Sequence, residues 1–126
     1  MSVVLDSSAV LALLWDEPGS NKVANVWEDA VISSVNAAEV VAKIIDRGAH
    51  PEQAADLFLS LALRVIAFDT EMAMLCGQLR QETRALGLSL GDRACLALGL
   101  AQRAEILTAD SAWAGIDADI LITVIR

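Results

Sequence analysis

The regular alternation of short apolar runs with helical patterns constrains the fold of this chain more than any other feature. Five runs of mainly apolar, often β-branched residues predict strands at residues 3–5, 30–33, 64–68, 106–108 and 120–125. Because strands and helices alternate, we expect right-handed crossovers and a mainly parallel sheet with helices on both faces. The pattern therefore predicts an α/β protein, a three-layer α/β/α sandwich around a five-stranded sheet.

Helical patterns occupy the segments between these strands. They cover residues 9–15, 21–27, 37–46, 51–63, 69–86 and 89–102, and glycine or proline marks several of their ends. The chain has 126 residues, which is enough to bury a core without disulfides. It contains no internal repeat, low-complexity segment or linker, so we expect a single domain over residues 1–126.

Composition excludes several classes of protein. Hydrophobic residues make up 56% of the sequence, but they occur in runs too short to span a bilayer. The amino terminus lacks the basic segment and longer apolar stretch of a secretory signal, so we expect a cytoplasmic protein. The two cysteines are then expected to be buried, reduced thiols. His50 is the only histidine, which excludes metal sites built from several histidines and leaves no histidine partner for a catalytic triad.

The net charge of −8 argues against binding of nucleic acid by a broad basic surface, because phosphate contacts normally supply most of that affinity. Nucleic-acid binding remains compatible with this charge under two conditions. Several acids would have to be concentrated at a site that binds cations, and the basic residues would have to form a local positive rim. The candidates for such a rim are Lys43, Arg47, Arg80, Arg84 and Arg93.

Four acids fall where strands end or helices begin. Asp6 directly follows the first strand, Glu39 and Asp92 lie in the predicted first turns of two helices, and Asp110 comes two residues after the strand at 106–108. In a parallel α/β sheet, the carboxyl ends of the strands form the edge at which ligands bind. We therefore expect all four carboxylates at one edge of the sheet.

Each acid also has a structural explanation. Asp6 is placed to cap the first helix. Glu39 and Asp92 each follow a potential cap residue by three positions, as in a capping box, and Glu39 is also placed to pair with Lys43 one turn later. Asp110 fits an ordinary turn. Taken singly, these explanations are preferred, but they do not account for four acids at the one edge where this fold binds ligands.

Four neighbouring carboxylates would repel one another strongly without a cation between them. All the ligands would be hard oxygens, which favours Mg²⁺ or Mn²⁺ over Zn²⁺. Such a centre suits hydrolysis of phosphodiesters, because the ion offsets charge on the phosphate and activates a water. The sequence leaves open whether one ion or two would bind.

Four segments resemble, in chain order, the acidic motifs of PIN domains, and most closely those of VapC-type toxins from bacterial toxin–antitoxin pairs. They are VLDSSA at 4–9, SSVNAAEV at 33–40, LSLGDRA at 88–94 and LTAD at 107–110. The resemblance covers essentially the whole chain. The motif around Asp92 and the closing Leu-Thr-Ala-Asp-Ser-Ala-Trp are specific in combination, although each alone would be weak.

This resemblance implies a ribonuclease that depends on Mg²⁺ or Mn²⁺, forms a homodimer and is held inactive by a cognate antitoxin. It implies that Asp6, Glu39, Asp92 and Asp110 bind or organise the metal and that Thr108 orients a carboxylate or a water. The products would carry 5′-phosphate and 3′-hydroxyl ends. Some relatives have a further acid three residues after the fourth. This chain has Trp113 there, and Asp117 is better explained as a loop residue.

Three arginines are candidates for contact with RNA. Arg80 and Arg84 lie four residues apart, on one face of the predicted helix, and Arg93 adjoins Asp92. For the first two, a solvated helix face is the preferred explanation, because charged helix faces usually have that role. Arg93 is placed either to counter the carboxylates or to serve as an ordinary surface residue.

Two alternative functions remain open. One is a receiver-like, phospho-accepting signalling domain that would use Asp69 at the end of the third strand. That alternative leaves Glu39 and Asp110 unexplained. The other is a PIN-like binding module that has lost catalysis, against which the presence of all four acids argues.

Overall fold

The computed structural model covers residues 1–126 and contains the five predicted strands. They are β1 (Val3–Leu5), β2 (Ala30–Ser33), β3 (Arg64–Ile66), β4 (Glu105–Thr108) and β5 (Ile122–Val124). Their order across the sheet is β3-β2-β1-β4-β5, and all four neighbouring pairs are parallel. The α/β fold predicted from the alternation is therefore confirmed, with a sheet that is entirely parallel.

Seven α-helices connect and cover these strands. They are α1 (Ser7–Leu14), α2 (Ser20–Asn25), α3 (Ser34–Asp46), α4 (Pro51–Ser60), α5 (Thr70–Gln78), α6 (Arg80–Thr83) and α7 (Leu90–Gln102). Short 3₁₀ turns occupy Trp27–Asp29, Arg84–Leu86 and Ser111–Gly115. None of the helices is both long enough and apolar enough to cross a membrane.

The sheet separates two hydrophobic cores. Val3 and Leu5 of β1 pack on one face with residues of α1 to α4, and Val4 packs on the other with residues of α5 and α7. All three strand residues are buried, because successive side chains of a strand point to opposite faces and both faces are covered. This accounts for the continuous apolar run that predicted β1.

The strand order also distinguishes this fold from the receiver-like alternative. Receiver domains have the order 2-1-3-4-5, whereas here β1 lies between β2 and β4. Asp69, the phospho-acceptor of that alternative, is exposed, and its side chain caps α5 by accepting a hydrogen bond from the Met72 N–H at 2.9 Å. The receiver-like prediction is therefore rejected.

Two of the predicted helices differ most from the structure. The single helix expected over residues 69–86 is divided into α5, α6 and a 3₁₀ turn. The Thr83 hydroxyl donates to the Leu79 carbonyl at 2.8 Å, a contact of the kind that bends helices. The helix expected from about residue 37 begins three residues earlier, because Ser33 caps it by accepting from the Val35 N–H at 3.3 Å.

The third strand ends two residues earlier than predicted. Its expected last residue, Phe68, donates its backbone N–H to the Ser34 hydroxyl at 3.0 Å and does not continue the pairing of β3 with β2. The last strand is likewise shorter than the predicted 120–125. These differences move strand ends only and leave the predicted topology intact.

Candidate active site

The order in which strands are added to the sheet reverses beside β1. From β1 it adds β2 and β3 on one side, then crosses over to add β4 and β5 on the other. The crevice at such a switch point, beyond the carboxyl ends of the strands, is where open α/β sheets bind ligands. Asp6 lies there, directly after β1, and its backbone N–H donates to the Leu107 carbonyl of β4 at 3.0 Å.

Asp6 is a buried carboxylate held by two hydroxyls. Its side chain is only 4% exposed. The Ser8 hydroxyl donates to its Oδ2 atom at 2.7 Å, and the Thr108 hydroxyl donates to the same atom at 2.9 Å. Asp6 occupies the N-cap position of α1, but its side chain makes no capping hydrogen bond. A capping role therefore does not explain this residue.

The surroundings of Asp6 disfavour its charge. The pKa of this carboxyl is raised from 3.8 to about 6. Burial is the largest cause, the hydrogen bonds from Ser8 and Thr108 act in the opposite direction, and the negative charges of Asp92 and Glu39 make smaller contributions to the increase. The same three acids raise the pKa of the fully buried Cys95 thiol, for which desolvation is the largest cause.

Glu39 lies one turn further into α3 than predicted, because that helix begins at Ser34. The residue in the first turn is Asn36, whose side-chain amide donates to the Glu39 Oε1 atom at 2.7 Å. The proposed capping box at this helix does not form, since Ser33 is the cap. The proposed ion pair with Lys43 is also absent, because Arg126 and Glu17 form the only salt bridge.

Asp92 is in the first turn of α7, as predicted, and it belongs to a complete capping box. Its Oδ2 atom accepts from the Ser89 N–H at 2.9 Å, and its own N–H donates to the Ser89 hydroxyl at 3.2 Å. The structural explanation of this acid is therefore confirmed. The capping box engages only one oxygen of the Asp92 carboxylate. It fixes this half-buried side chain at the start of α7, where its charge acts on Asp6.

Asp110 is the most exposed of the four acids. Its Oδ1 atom accepts from the Ala112 N–H at 3.0 Å and so caps the following 3₁₀ turn. It is linked to Asp6 through Thr108, whose hydroxyl accepts from the Asp110 N–H at 3.1 Å. Asp110 is not among the charges that shift the pKa of Asp6. The structure thus brings Glu39 and Asp92 close enough to act on the charge of Asp6 and leaves Asp110 at the margin.

As the side chains are oriented, no three aspartate, glutamate, histidine or cysteine groups stand close enough together to enclose an ion. The geometry nevertheless suits a hard cation in two respects. The donors are all carboxylate oxygens, and a buried carboxylate whose charge is disfavoured by two other acids would be stabilised by a positive ion. Capping bonds engage one oxygen each of Asp92 and Asp110, so the second oxygen of each carboxylate stays available.

The cavities of the molecule lie elsewhere. The largest, about 700 Å³, is lined mainly by apolar residues of α7, the α6 region and the loop around Ile116. The other two have volumes of about 670 and 230 Å³, and none of the three is lined by Asp6, Glu39, Asp92 or Asp110. The acidic site is therefore an open crevice, which is compatible with a polymeric substrate and unsuited to enclosing a small molecule.

The candidate RNA-binding arginines differ in their surroundings. Arg80 lies in α6 and Arg84 in the 3₁₀ turn that follows it, so they do not share one regular helix face, and both are exposed. Arg93 is half-buried, and its Nη1 atom donates to the Cys76 carbonyl at 3.4 Å. It forms no salt bridge with Asp92. Asp117, considered as a further ligand, lines the largest cavity with Glu82 and Asp119.

Sequence reasoning missed three residues that shape this site. Ser8 belongs to the VLDSSA segment but was assigned no role at the site, yet its hydroxyl donates to Asp6 and accepts from the Ala109 N–H at 2.9 Å. Asn36 contacts Glu39, and Gly91 lies directly against the Glu39 carboxylate. The spacing of three residues between Asn36 and Glu39, which places side chains on one helix face, was the only local signal for any of these contacts.

A sequence model of the PIN domain matches residues 3–119 of the chain. The chain therefore belongs to the PIN-domain family, and the family predicted from its motifs is confirmed. No curated protein matches the chain.

Solved structures with the same fold include chains of a toxin–antitoxin complex and of two VapBC structures. The chain is 26% identical to a chain of a toxin–antitoxin complex from Klebsiella pneumoniae, with a TM-score of 0.72 over 91% of this chain and 92% of that one. A chain of VapBC2 from Rickettsia felis, bound to a promoter DNA fragment, gives a TM-score of 0.73 at 21% identity over 98% of each chain. A chain of VapBC-1 from nontypeable Haemophilus influenzae gives 0.74 at 16% identity, over 98% and 97% respectively.

Proposed function

We propose that this protein is a metal-dependent endoribonuclease that acts as the toxin of a toxin–antitoxin pair. One observation carries the proposal. In a chain of the PIN-domain family, the buried Asp6 carboxylate lies at the switch point of the sheet, and the charges of Glu39 and Asp92 act on it. This arrangement is destabilising by itself and becomes favourable when a divalent cation is present.

Asp6, Glu39 and Asp92 would hold the ion, and Asp110 would join them by turning its second oxygen toward the crevice. Oxygen ligands alone favour Mg²⁺ or Mn²⁺. A bound ion of this kind would offset the charge developing on the phosphate and lower the pKa of the attacking water.

The residues around Asp6 fix its orientation. Ser8 and Thr108 both donate to its Oδ2 atom, which leaves Oδ1 free to face the crevice. Thr108 also accepts from the Asp110 N–H, so a single buried hydroxyl sets the position of the loop that carries the fourth acid. We therefore assign to Thr108 the supporting role that the resemblance implies. Ser8 has the same role.

The substrate is proposed to be RNA, cut by attack of water to leave 5′-phosphate and 3′-hydroxyl ends. The acidic chain offers few cations for phosphate binding. Arg80 and Arg84 are exposed and available for this purpose, whereas Arg93 is half-buried and has its Nη1 atom bonded to the Cys76 carbonyl. Shape and the bound ion would therefore contribute more to RNA binding than surface charge does.

The proposed partners are a cognate antitoxin that covers the acidic crevice and a second copy of the chain. The relatives described above as toxin–antitoxin and VapBC complexes support the first. The homodimer and a cytoplasmic location rest on the sequence resemblance. A PIN-like module without catalysis remains the alternative, and the presence of all four acids argues against it.

The proposed function is tested with purified protein and a mixture of cellular RNAs. Cleavage is expected with Mg²⁺ or Mn²⁺, loss of cleavage with EDTA, and recovery when Mn²⁺ is restored in excess. Sequencing of the fragment ends should show 5′-phosphates. Cleavage that persists in EDTA, or fragments that end in 2′,3′-cyclic phosphates, would contradict a hydrolytic metal centre.

A further inference from the structure

Asn36 connects the two helices that carry Glu39 and Asp92. It is fully buried, and its side-chain Nδ2 atom donates both to Glu39 Oε1 at 2.7 Å and to the Gly91 carbonyl at 3.0 Å. Gly91 immediately precedes Asp92 in the first turn of α7. A single amide group thus joins one acid to the backbone beside another.

Gly91 provides the space in which the Glu39 carboxylate lies. A Cβ atom built on Gly91 would lie 2.6 Å from the Glu39 Cδ atom and 2.7 Å from its Oε1 atom. Both distances are too short for a contact between non-bonded atoms. Because the obstructing atoms belong to the end of a flexible side chain, a methyl group at this position would displace the carboxylate while the backbone could stay in place.

We propose that Asn36 and Gly91 are positioning residues that hold the Glu39 carboxylate against the start of α7, the helix end that carries Asp92, so that the two acids can share a cation. Asn36 holds one oxygen of Glu39, and no protein group donates to the other oxygen, Oε2. Gly91 allows the carboxylate to approach the start of α7 closely. This inference rests on the proposed metal-dependent function, because it assigns a role to residues that do not themselves touch the ion or the substrate.

A purely structural role for the same residues makes a different prediction. If Asn36 only tied α3 to α7, its loss would lower stability and leave metal affinity unchanged in the folded fraction. If Gly91 were an incidental helical glycine, replacement by alanine would raise the free energy of unfolding through helix propensity and change nothing else.

The deciding experiment compares Gly91→Ala with Gly77→Ala. Gly77 is also helical, in α5, and a Cβ there would meet nothing within 4 Å. Mn²⁺ binding is measured by calorimetry on the full chain, and the free energy of unfolding is measured by denaturant titration. We expect both variants to remain folded and Gly77→Ala to bind Mn²⁺ like the wild type. Gly91→Ala should bind at least about tenfold more weakly, as losses of groups that orient metal ligands do.

Asn36→Leu provides the second measurement, with Thr83→Val as its control. Thr83 is also buried, and its hydroxyl donates to the Leu79 carbonyl and to none of the four acids. Both variants lose a buried hydrogen bond, so both should be less stable. Only Asn36→Leu should also bind Mn²⁺ roughly tenfold or more weakly. If it does not fold, Gly91→Ala still decides the proposal.

The possible results separate the two proposals. Wild-type protein that binds no Mn²⁺ would overturn the proposed function together with the inference that rests on it. If the wild type binds Mn²⁺ and folded Gly91→Ala binds it equally tightly, only the positioning role would be overturned. Weaker binding confined to Gly91→Ala and Asn36→Leu would support it.

Discussion

Replacing Asp6 by asparagine is expected to abolish RNA cleavage and at the same time to stabilise the metal-free protein. The side chain is buried, and its charge is disfavoured by desolvation and by Asp92 and Glu39. Asparagine has the same shape and still accepts hydrogen bonds from Ser8 and Thr108, but it supplies no charge to a cation. Because loss of groups that merely orient ligands costs about 10–100-fold, loss of this ligand should reduce cleavage by more than about 100-fold.

The stabilisation follows from the pKa of Asp6, which is about 6 in the folded protein against an ordinary value of 3.8 for an aspartate. A raised pKa means that the folded state binds the proton more tightly, so ionisation of Asp6 lowers stability above pH 6 and ceases to do so as the pH falls toward 4. The shift corresponds to about 3 kcal/mol. The buried amide of asparagine offsets part of it, so we expect a gain of about 1–3 kcal/mol.

Denaturant titrations without divalent ions should therefore show Asp6→Asn more stable than the wild type at about pH 7.5, with the difference shrinking as the pH falls from 6 toward 4. Added Mn²⁺ should stabilise the wild type and leave the variant unchanged. Equal stability of the two proteins both at about pH 7.5 and at about pH 4 would show that ionisation of Asp6 does not destabilise the folded protein. Retained cleavage by the variant would exclude Asp6 as a ligand.

Asp92 should prove to have two separable roles, one in the helix cap and one in catalysis. Asp92→Asn removes the charge but keeps an oxygen that can accept from the Ser89 N–H, so the helix should lose little stability. Ser89→Ala removes the other half of the same capping box, at a typical cost of about 1 kcal/mol, and leaves the Asp92 carboxylate in place. We expect about 100-fold slower cleavage for Asp92→Asn and nearly normal cleavage for Ser89→Ala.

RNA cleavage rates and free energies of unfolding, measured on both variants, check this prediction. The capping interaction would be the whole explanation of Asp92 if the two variants lost activity in proportion to their loss of stability. If Asp92→Asn loses activity but little stability, and Ser89→Ala loses stability but little activity, the capping box serves to hold the Asp92 carboxylate at the crevice. The alternative explanations of this acid, cap and ligand, would then both be correct.

The fold was predictable because burial on both faces of a parallel sheet leaves a strong local signal. The run Val3-Val4-Leu5 predicts β1 with its observed bounds, and Asp6 and Asp110 follow their strands as expected. The errors fall where a side chain competes with a regular backbone pattern, as the Ser33 hydroxyl does at the start of α3. Such contacts depend on neighbours that hydrophobic periodicity does not reveal.

The candidate site was predictable only in part, for a similar reason. The positions of the four acids follow from the order of elements, so the motif could be located in the sequence. The residues that orient them could not, because Ser8 contacts Thr108 and Ala109 about 100 positions away and Asn36 contacts Gly91, 55 positions away. The absence of a side chain at Gly91 matters only because of where Glu39 lies in the folded chain.

The most direct measurement is the anomalous scattering of Mn²⁺ in crystals of the protein soaked in a manganese salt. Small rotations of Asp92 and Asp110 should bring their carboxylates toward Glu39 and close the crevice around at least one Mn²⁺, with Asp6 among its ligands at about 2.0–2.2 Å. An anomalous peak at that position, lost in crystals of Asp6→Asn, would confirm that the acids form a metal centre. Manganese bound only elsewhere, in crystals where the crevice is open to solvent, would contradict it.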